Sequence, residues 1–185
     1  MRSITKIVLI ALATFTLSAI TSAEPVEVYL LDRLDGILNE YCIDVSGPPQ
    51  RMTPENPLQA HTCYSYREDP TADQAMDSEA FELGKIHLIS EDLCVQADDV
   101  AAGSTVSLHE CADTDTQHFE LRDNGHIVLA QHAEMCLTAG PTSRFGGPAG
   151  GPPSQHQIRT LQMQHCGDEA VKYQTWGIRT EMPAG

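Results

Sequence analysis

The cysteines constrain this chain more than any other feature. There are six, Cys42, Cys63, Cys94, Cys111, Cys136 and Cys166, and each consecutive pair sits in a stretch that repeats one order of signals. The second stretch reads Leu93-Cys94-Val95-Gln96, then Val106-Ser107-Leu108-His109-Glu110-Cys111, then Gln117-His118-Phe119. The third reads Met135-Cys136-Leu137-Thr138, then Leu161-Gln162-Met163-Gln164-His165-Cys166, then Gln174-Thr175-Trp176. The first follows as Tyr41-Cys42-Ile43-Asp44, then Leu58-Gln59-Ala60-His61-Thr62-Cys63, then Gln74-Ala75-Met76. Six cysteines admit 15 pairings. Three units with two cysteines each imply pairing within units, Cys42 with Cys63, Cys94 with Cys111 and Cys136 with Cys166. Each closed loop adds on the order of 3 kcal/mol if unstrained.

The first unit offers a second register, because Glu79-Ala80-Phe81-Glu82-Leu83 resembles Gln117-His118-Phe119-Glu120-Leu121. Spacing favours Gln74, which lies 20 residues before the next cysteine; Gln117 lies 19 before its own and Glu79 only 15. Short apolar or alternating runs at 26–31, 86–89, 106–108, 126–129 and 161–163 are bounded by Gly, Asp, Asn or Pro and read as strands. Only 32–40 carries a trace of helical periodicity. Many short strands at regular spacing predict an all-β sandwich or barrel.

The Cys-x-Asp, Gln-x-(aromatic or His)-x-Cys and Gln-x-Trp signals in threefold repetition resemble the ricin B-type lectin family. The resemblance runs from about residue 26 to residue 180 and implies a β-trefoil of three pseudo-symmetric repeats, about 26–84, 85–124 and 125–180. It implies that Met76, Phe119 and Trp176 fill a shared core, with Met as the adaptable member, and that none of the three touches a ligand. It also implies a carbohydrate-binding, non-enzymatic module, with a galactose-like sugar as the family preference. The family's binding positions fall on Asp44, Gln59, His61, Asp73 and Gln74 in the first unit. His61 stands where a stacking Trp or Tyr is usual, and Asp73 where an Asn is usual. The second unit offers Gln96, Ser107, His109, Thr116 and Gln117, and the third Thr138, Gln162, Gln164, Tyr173 and Gln174. Neither has the Asp, so both are read as kept for folding. A second similarity, through Cys111-Ala112-Asp113-Thr114-Asp115 and the ending Tyr173 to Ile178, is to the ricin-like accessory subunits of cytolethal distending toxins. It implies a protein-interaction or cell-targeting role.

Charge and the N-terminus bound the setting. Residues 1–23 begin with Arg2 and Lys6, continue through an apolar run at 7–17 and end in Thr21-Ser22-Ala23, the pattern of a secretory signal peptide. The run is too short to span a bilayer, which takes about 20 residues. The folded domain is then 24–185, secreted or periplasmic, where disulfides persist. With 26 acidic residues against 11 basic ones the net charge is −15, a field that repels nucleic acid and anionic lipid but not a neutral glycan or glycoprotein. The eight histidines show no helical metal-ligand spacing and the cysteines are committed to bridges, so no metal, cofactor or catalytic residue is expected. Segment 140–153, rich in Gly and Pro, reads as an irregular surface loop, and 64–77 as an acidic loop beside the first unit's candidate pocket.

Overall fold

A computed structural model describes residues 24–47, 52–64, 72–147 and 154–180. Segment 1–23, read above as a signal peptide, lies outside them. Thirteen strands dominate: β1 (Pro25–Leu30), β2 (Tyr41–Asp44), β3 (Gln59–Thr62), β4 (Met76–Asp77), β5 (His87–Leu88), β6 (Leu93–Ala97), β7 (Val106–His109), β8 (Phe119–Leu121), β9 (Ile127–Leu129), β10 (His132–Ala139), β11 (Arg144–Phe145), β12 (Gln157–His165) and β13 (Trp176–Arg179). Setting β11 aside leaves four strands in each unit. In each the second and third form an antiparallel hairpin: β2 with β3, β6 with β7, β10 with β12.

The first and fourth strands join the units. β4 pairs with β1 through Met76↔Val26 and with β5 through Met76↔Leu88, β8 with β9 through Phe119↔Leu129, and β13 with β1 through Trp176↔Leu30. Sheet pairing around a ring with three hairpins is the β-trefoil that the resemblance implies. Met76, Phe119 and Trp176 belong to one buried cluster together with Val28, Leu88, Leu129 and Leu137. The Trp176 indole also donates from Nε1 to the Leu137 carbonyl at 2.9 Å, so the largest core ring leaves no polar atom unmet.

The three bridges close as Cys42–Cys63, Cys94–Cys111 and Cys136–Cys166. Beside each bridge one glutamine repeats a single set of contacts. The side-chain oxygens of Gln74, Gln117 and Gln174 accept from the backbone N–H one residue past the second cysteine, on Tyr64 (2.9 Å), Ala112 (2.7 Å) and Gly167 (3.1 Å). Their Nε2 groups donate to the carbonyl one residue before it, on Thr62 (3.2 Å), Glu110 (3.0 Å) and His165 (3.0 Å). All three glutamines are buried. Gln74 thus does in the first unit what Gln117 and Gln174 do in theirs. Glu79 instead lies in a short helix, α1 (Ser78–Glu82), whose first turn is capped by the Asp77 carboxylate accepting from Glu79 and Ala80.

Two expectations need correction. Residues 32–40 form no helix: Leu34 takes φ 53°, and the Arg33 guanidinium donates to the Gly36 and Ile37 carbonyls that helical pairing would need. In segment 140–153 the described part is ordered, because β11 extends the third hairpin through Arg144↔Ile158 and Phe145↔Gln157; 148–153 fall outside the described residues. A second short helix, α2 (Val171–Gln174), delivers Gln174 to its contacts.

Replacing Gln117 by Ala removes the side-chain partner of the Ala112 N–H and the Glu110 carbonyl, both in part-buried hydrogen bonds. With about 0.5–1.5 kcal/mol for each such bond, the expected loss is about 1–3 kcal/mol in urea unfolding, with the native hairpin retained. A loss below about 0.5 kcal/mol contradicts the structural role.

Candidate functional site

The glutamine Nε2 has a further partner in every unit: the side chain two residues past the first cysteine. It is Asp44 in the first unit (2.7 Å), Gln96 in the second (3.0 Å) and Thr138 in the third (3.0 Å). The fold therefore reserves one position per unit for a polar side chain held from behind, and the residue placed there sets the local chemistry.

In the first unit the structure brings the five expected residues together. Asp44, at the end of β2, accepts from Gln59 Nε2 on one oxygen and from Gln74 Nε2 on the other, each at 2.7 Å. Register puts Gln59 directly opposite Asp44 on β3. His61, two residues along the same face, brings Nδ1 within 4.0 Å of the Asp44 carboxylate and within 2.9 Å of the Thr62 carbonyl. Its ring meets those of Tyr64 at 5.1 Å and His156 at 5.3 Å. Asp73 is buried close enough to repel Asp44. Gln74, with no exposed surface and its amide engaged by the chain, acts on this cluster by aiming Asp44.

Burial works against charge on both Asp44 and His61. Burial raises the Asp44 pKa well above the ordinary carboxylate range and Asp73 adds to the rise, against the opposing hydrogen bonds from Gln59 and Gln74. Burial lowers the His61 pKa, with the Thr62 carbonyl opposing and His156 assisting, so the imidazole stays uncharged near neutrality.

The second unit keeps Gln96 at the held position and places an acid two residues further on. Asp98 accepts from Ser107 Oγ at 2.5 Å and from Thr105 Oγ1 at 2.5 Å, and Ser107 meets His109 Nε2 at 3.0 Å. The signal was present in the alternation of β6: Cys94, Gln96 and then Asp98 continue one face. Tyr64 and His156 were also missed, because the first follows the cysteine instead of preceding it and the second belongs to another unit.

The third unit holds an open cleft of about 320 Å³, lined by Thr138, Gln162, Gln164, Glu169 and Tyr173 among others, within the range of small-ligand sites. Four of the five positions assigned to this unit line it; Gln174 lies behind, bonded to Thr138. The reading of this unit as retained for folding alone overlooked that space, which residue identity does not report. A network from the first unit supports it. Arg159 donates to the Gly140 carbonyl at 2.6 Å and to Asp35, and packs 4.8 Å from the Tyr41 ring centroid and 5.9 Å from that of Tyr173. Burial opposes ionisation of Asp35, but hydrogen bonds from Ser143, Tyr41 and Arg159 outweigh it and hold the carboxyl below its usual range.

Two groups of potential metal-binding atoms exist among the described residues, His126 with Cys136 and Cys166, and Glu27 with Cys42 and Cys63. In both the sulfurs are oxidised to disulfides and lack the thiolate a metal needs. No helix among the described residues is long and apolar enough to cross a membrane.

Comparison with known proteins places this geometry. A sequence model of the ricin-type β-trefoil lectin domain matches residues 33–147. Among solved structures the chain is similar to an agglutinin from Abrus precatorius (22% identity, TM-score 0.57), covering 89% of this chain and 52% of that one, so it spans about half of the agglutinin's length. It is similar to the mdaA-1 domain (17% identity, TM-score 0.59; 91% and 97% covered). It also resembles the cytolethal distending toxin from Actinobacillus actinomycetemcomitans (17% identity, TM-score 0.53; 88% and 94% covered). At these identities the structural likenesses speak to the fold. No curated protein sequence matches the chain.

The raised Asp44 pKa has a thermodynamic sign. A folded-state pKa above the unfolded 3.8 means that the folded chain binds the proton more tightly, so this group's contribution is present below pH 3.8 and declines as pH rises towards the folded value. Unfolding of the wild type and of Asp44→Ala, compared from pH 4 to 8, is expected to show the wild type losing ground relative to the variant as pH rises. Parallel curves contradict the assignment.

Proposed function

Because this chain belongs to the ricin-type β-trefoil lectin family, we propose that it is a non-catalytic carbohydrate-binding module acting outside the cytoplasm, secreted or periplasmic. The observation that carries the reading is Asp44, a carboxylate aimed by two amides beside the rings of His61, Tyr64 and His156. A carboxylate in that setting bridges two adjacent hydroxyls of a sugar, Gln59 and Asp73 select their orientation, and the His61 ring supplies the flat contact. A partner missing one of those hydroxyls forgoes a hydrogen bond to a charged acceptor, at about 1.5–3 kcal/mol. A sugar with a vicinal diol, galactose first among those to test, is the expected ligand class. The cleft of Thr138, Gln164 and Tyr173 forms a second site with an aromatic wall and no carboxylate at the aimed position. Three disulfides support an oxidising compartment.

A second reading, an interaction or targeting subunit of a larger assembly, draws on Ile37 (51% exposed) and Phe145 (52% exposed). Both lie by Gln157: the Ile37 N–H donates to the Gln157 side chain at 2.8 Å, and Phe145 faces Gln157 in register.

Single-site affinity is expected between millimolar and micromolar, about −4 to −8 kcal/mol. Binding to immobilised glycans by Asp44→Ala and by Tyr173→Ala, each checked for an unchanged melting profile, tests the reading. Each variant is expected to lose at least tenfold in affinity for the ligand of its own site. Wild type that binds no glycan at millimolar concentration overturns it.

A further inference from the structure

A second open cleft, of about 410 Å³, lies between units, and Gln59, the hydrogen-bond partner of Asp44, is part of its wall. Its walls come from the first unit (Asn56, Pro57, Gln59), the second (Thr105) and the third (Arg144, Thr160). One side chain, Gln162, lines both this cleft and that of the third unit.

β12 explains the continuity. Arg159, Leu161 and Met163 are buried, whereas Ile158, Thr160, Gln162 and Gln164 alternate with them and are half-buried or exposed. These four point to one face of the strand. On one side β12 is paired first with β3 and then bridged to Thr105 opposite Gln162. On the other it is paired with β11 and then with β10. Thr160 lines the larger cleft and packs against Gly140, which lines the other; only glycine at 140 admits that contact, since a Cβ there would sit 2.2 Å from Thr160 Oγ1. From Ile158 to His165 the strand extends about 23 Å, well beyond one sugar ring.

We propose that the two clefts form one groove that takes a linear oligosaccharide of several residues, running along the outer face of β12 from Arg144 to Tyr173 with Gln162 as the contact shared between its halves. This rests on the carbohydrate-binding reading and names the ligand's form. An extended polysaccharide chain suits the surface: Pro57, Leu58 and Ile158 offer apolar contact to ring faces, while Asn56, Gln59, Thr160, Gln162 and Gln164 offer donors and acceptors to hydroxyls along its length. Arg144 is exposed at one end, and a guanidinium there offers donors to a sugar hydroxyl or ring oxygen.

The test is a calorimetric length series on the full chain, using galactose, glucose and N-acetylglucosamine and their linear oligomers of two to six residues. Affinity is expected to rise at least tenfold from the monosaccharide to the longest chain in the series that binds. Thr160→Trp, an exposed position on the groove floor, is expected to return the long-chain affinity to the short-chain value while leaving short-chain binding and the melting profile unchanged; Gln162→Ala, at the contact shared by both halves, is expected to lower long-chain affinity by a larger factor than short-chain affinity. Short sugars that bind with no gain from length, or a length gain that survives Thr160→Trp, overturn the groove and leave the lectin reading standing. No binding by any member of the series overturns both.

Discussion

One buried glutamine per unit holds this protein together in a way that its disulfides alone do not. Each disulfide ties the second strand of a hairpin to the third, and both strands are already hydrogen-bonded. The fourth strand of each unit arrives after a loop, and Gln74, Gln117 and Gln174 are what dock it: each straddles the second cysteine, accepting from the residue after it and donating to the residue before it. Two residues on, Met76, Phe119 or Trp176 enters the core. The amide and the apolar side chain thus set the height and the facing of the same strand, and a shift of one residue would break both at once.

The same clamp makes the fold a platform for recognition. Its Nε2 reaches past the hairpin to the side chain two residues after the first cysteine, whatever that side chain is. With Asp44 there, a carboxylate is presented with both oxygens oriented and its charge strained by burial. With Gln96 or Thr138 the clamp is equally well satisfied, and no charge is buried. The units therefore diverge in chemistry while remaining alike in structure, since changing that one residue leaves the two backbone contacts of the glutamine intact.

Much of the fold was legible because the repeat is carried by few residue types with strict local roles: cysteines that close a hairpin, a glutamine beside each bridge, a large apolar residue two positions later. Where local signals competed, spacing decided between Gln74 and Glu79, and in the structure Glu79 starts a helix capped by Asp77. Legibility failed where side-chain capture of the backbone overrode a pattern, as at Arg33 and Gly36, and where a glycine- and proline-rich composition concealed a paired strand at Arg144 and Phe145.

The sequence by itself determined the unit and its bridges, because the repeat places two cysteines in each, and its resemblance to a known family pointed to the core residue of each unit and to the polar set around Asp44. Only the tertiary structure decided where empty space lies and which groups share it. His156 of the third unit joined His61 and Tyr64 of the first, and Arg159 reached across to Asp35. The clefts on either side of Gln162 belong to the same class of fact. Each arises between strands that are distant in the chain, where the distance between two side chains is set by how whole units pack and not by the order of residues along any one of them.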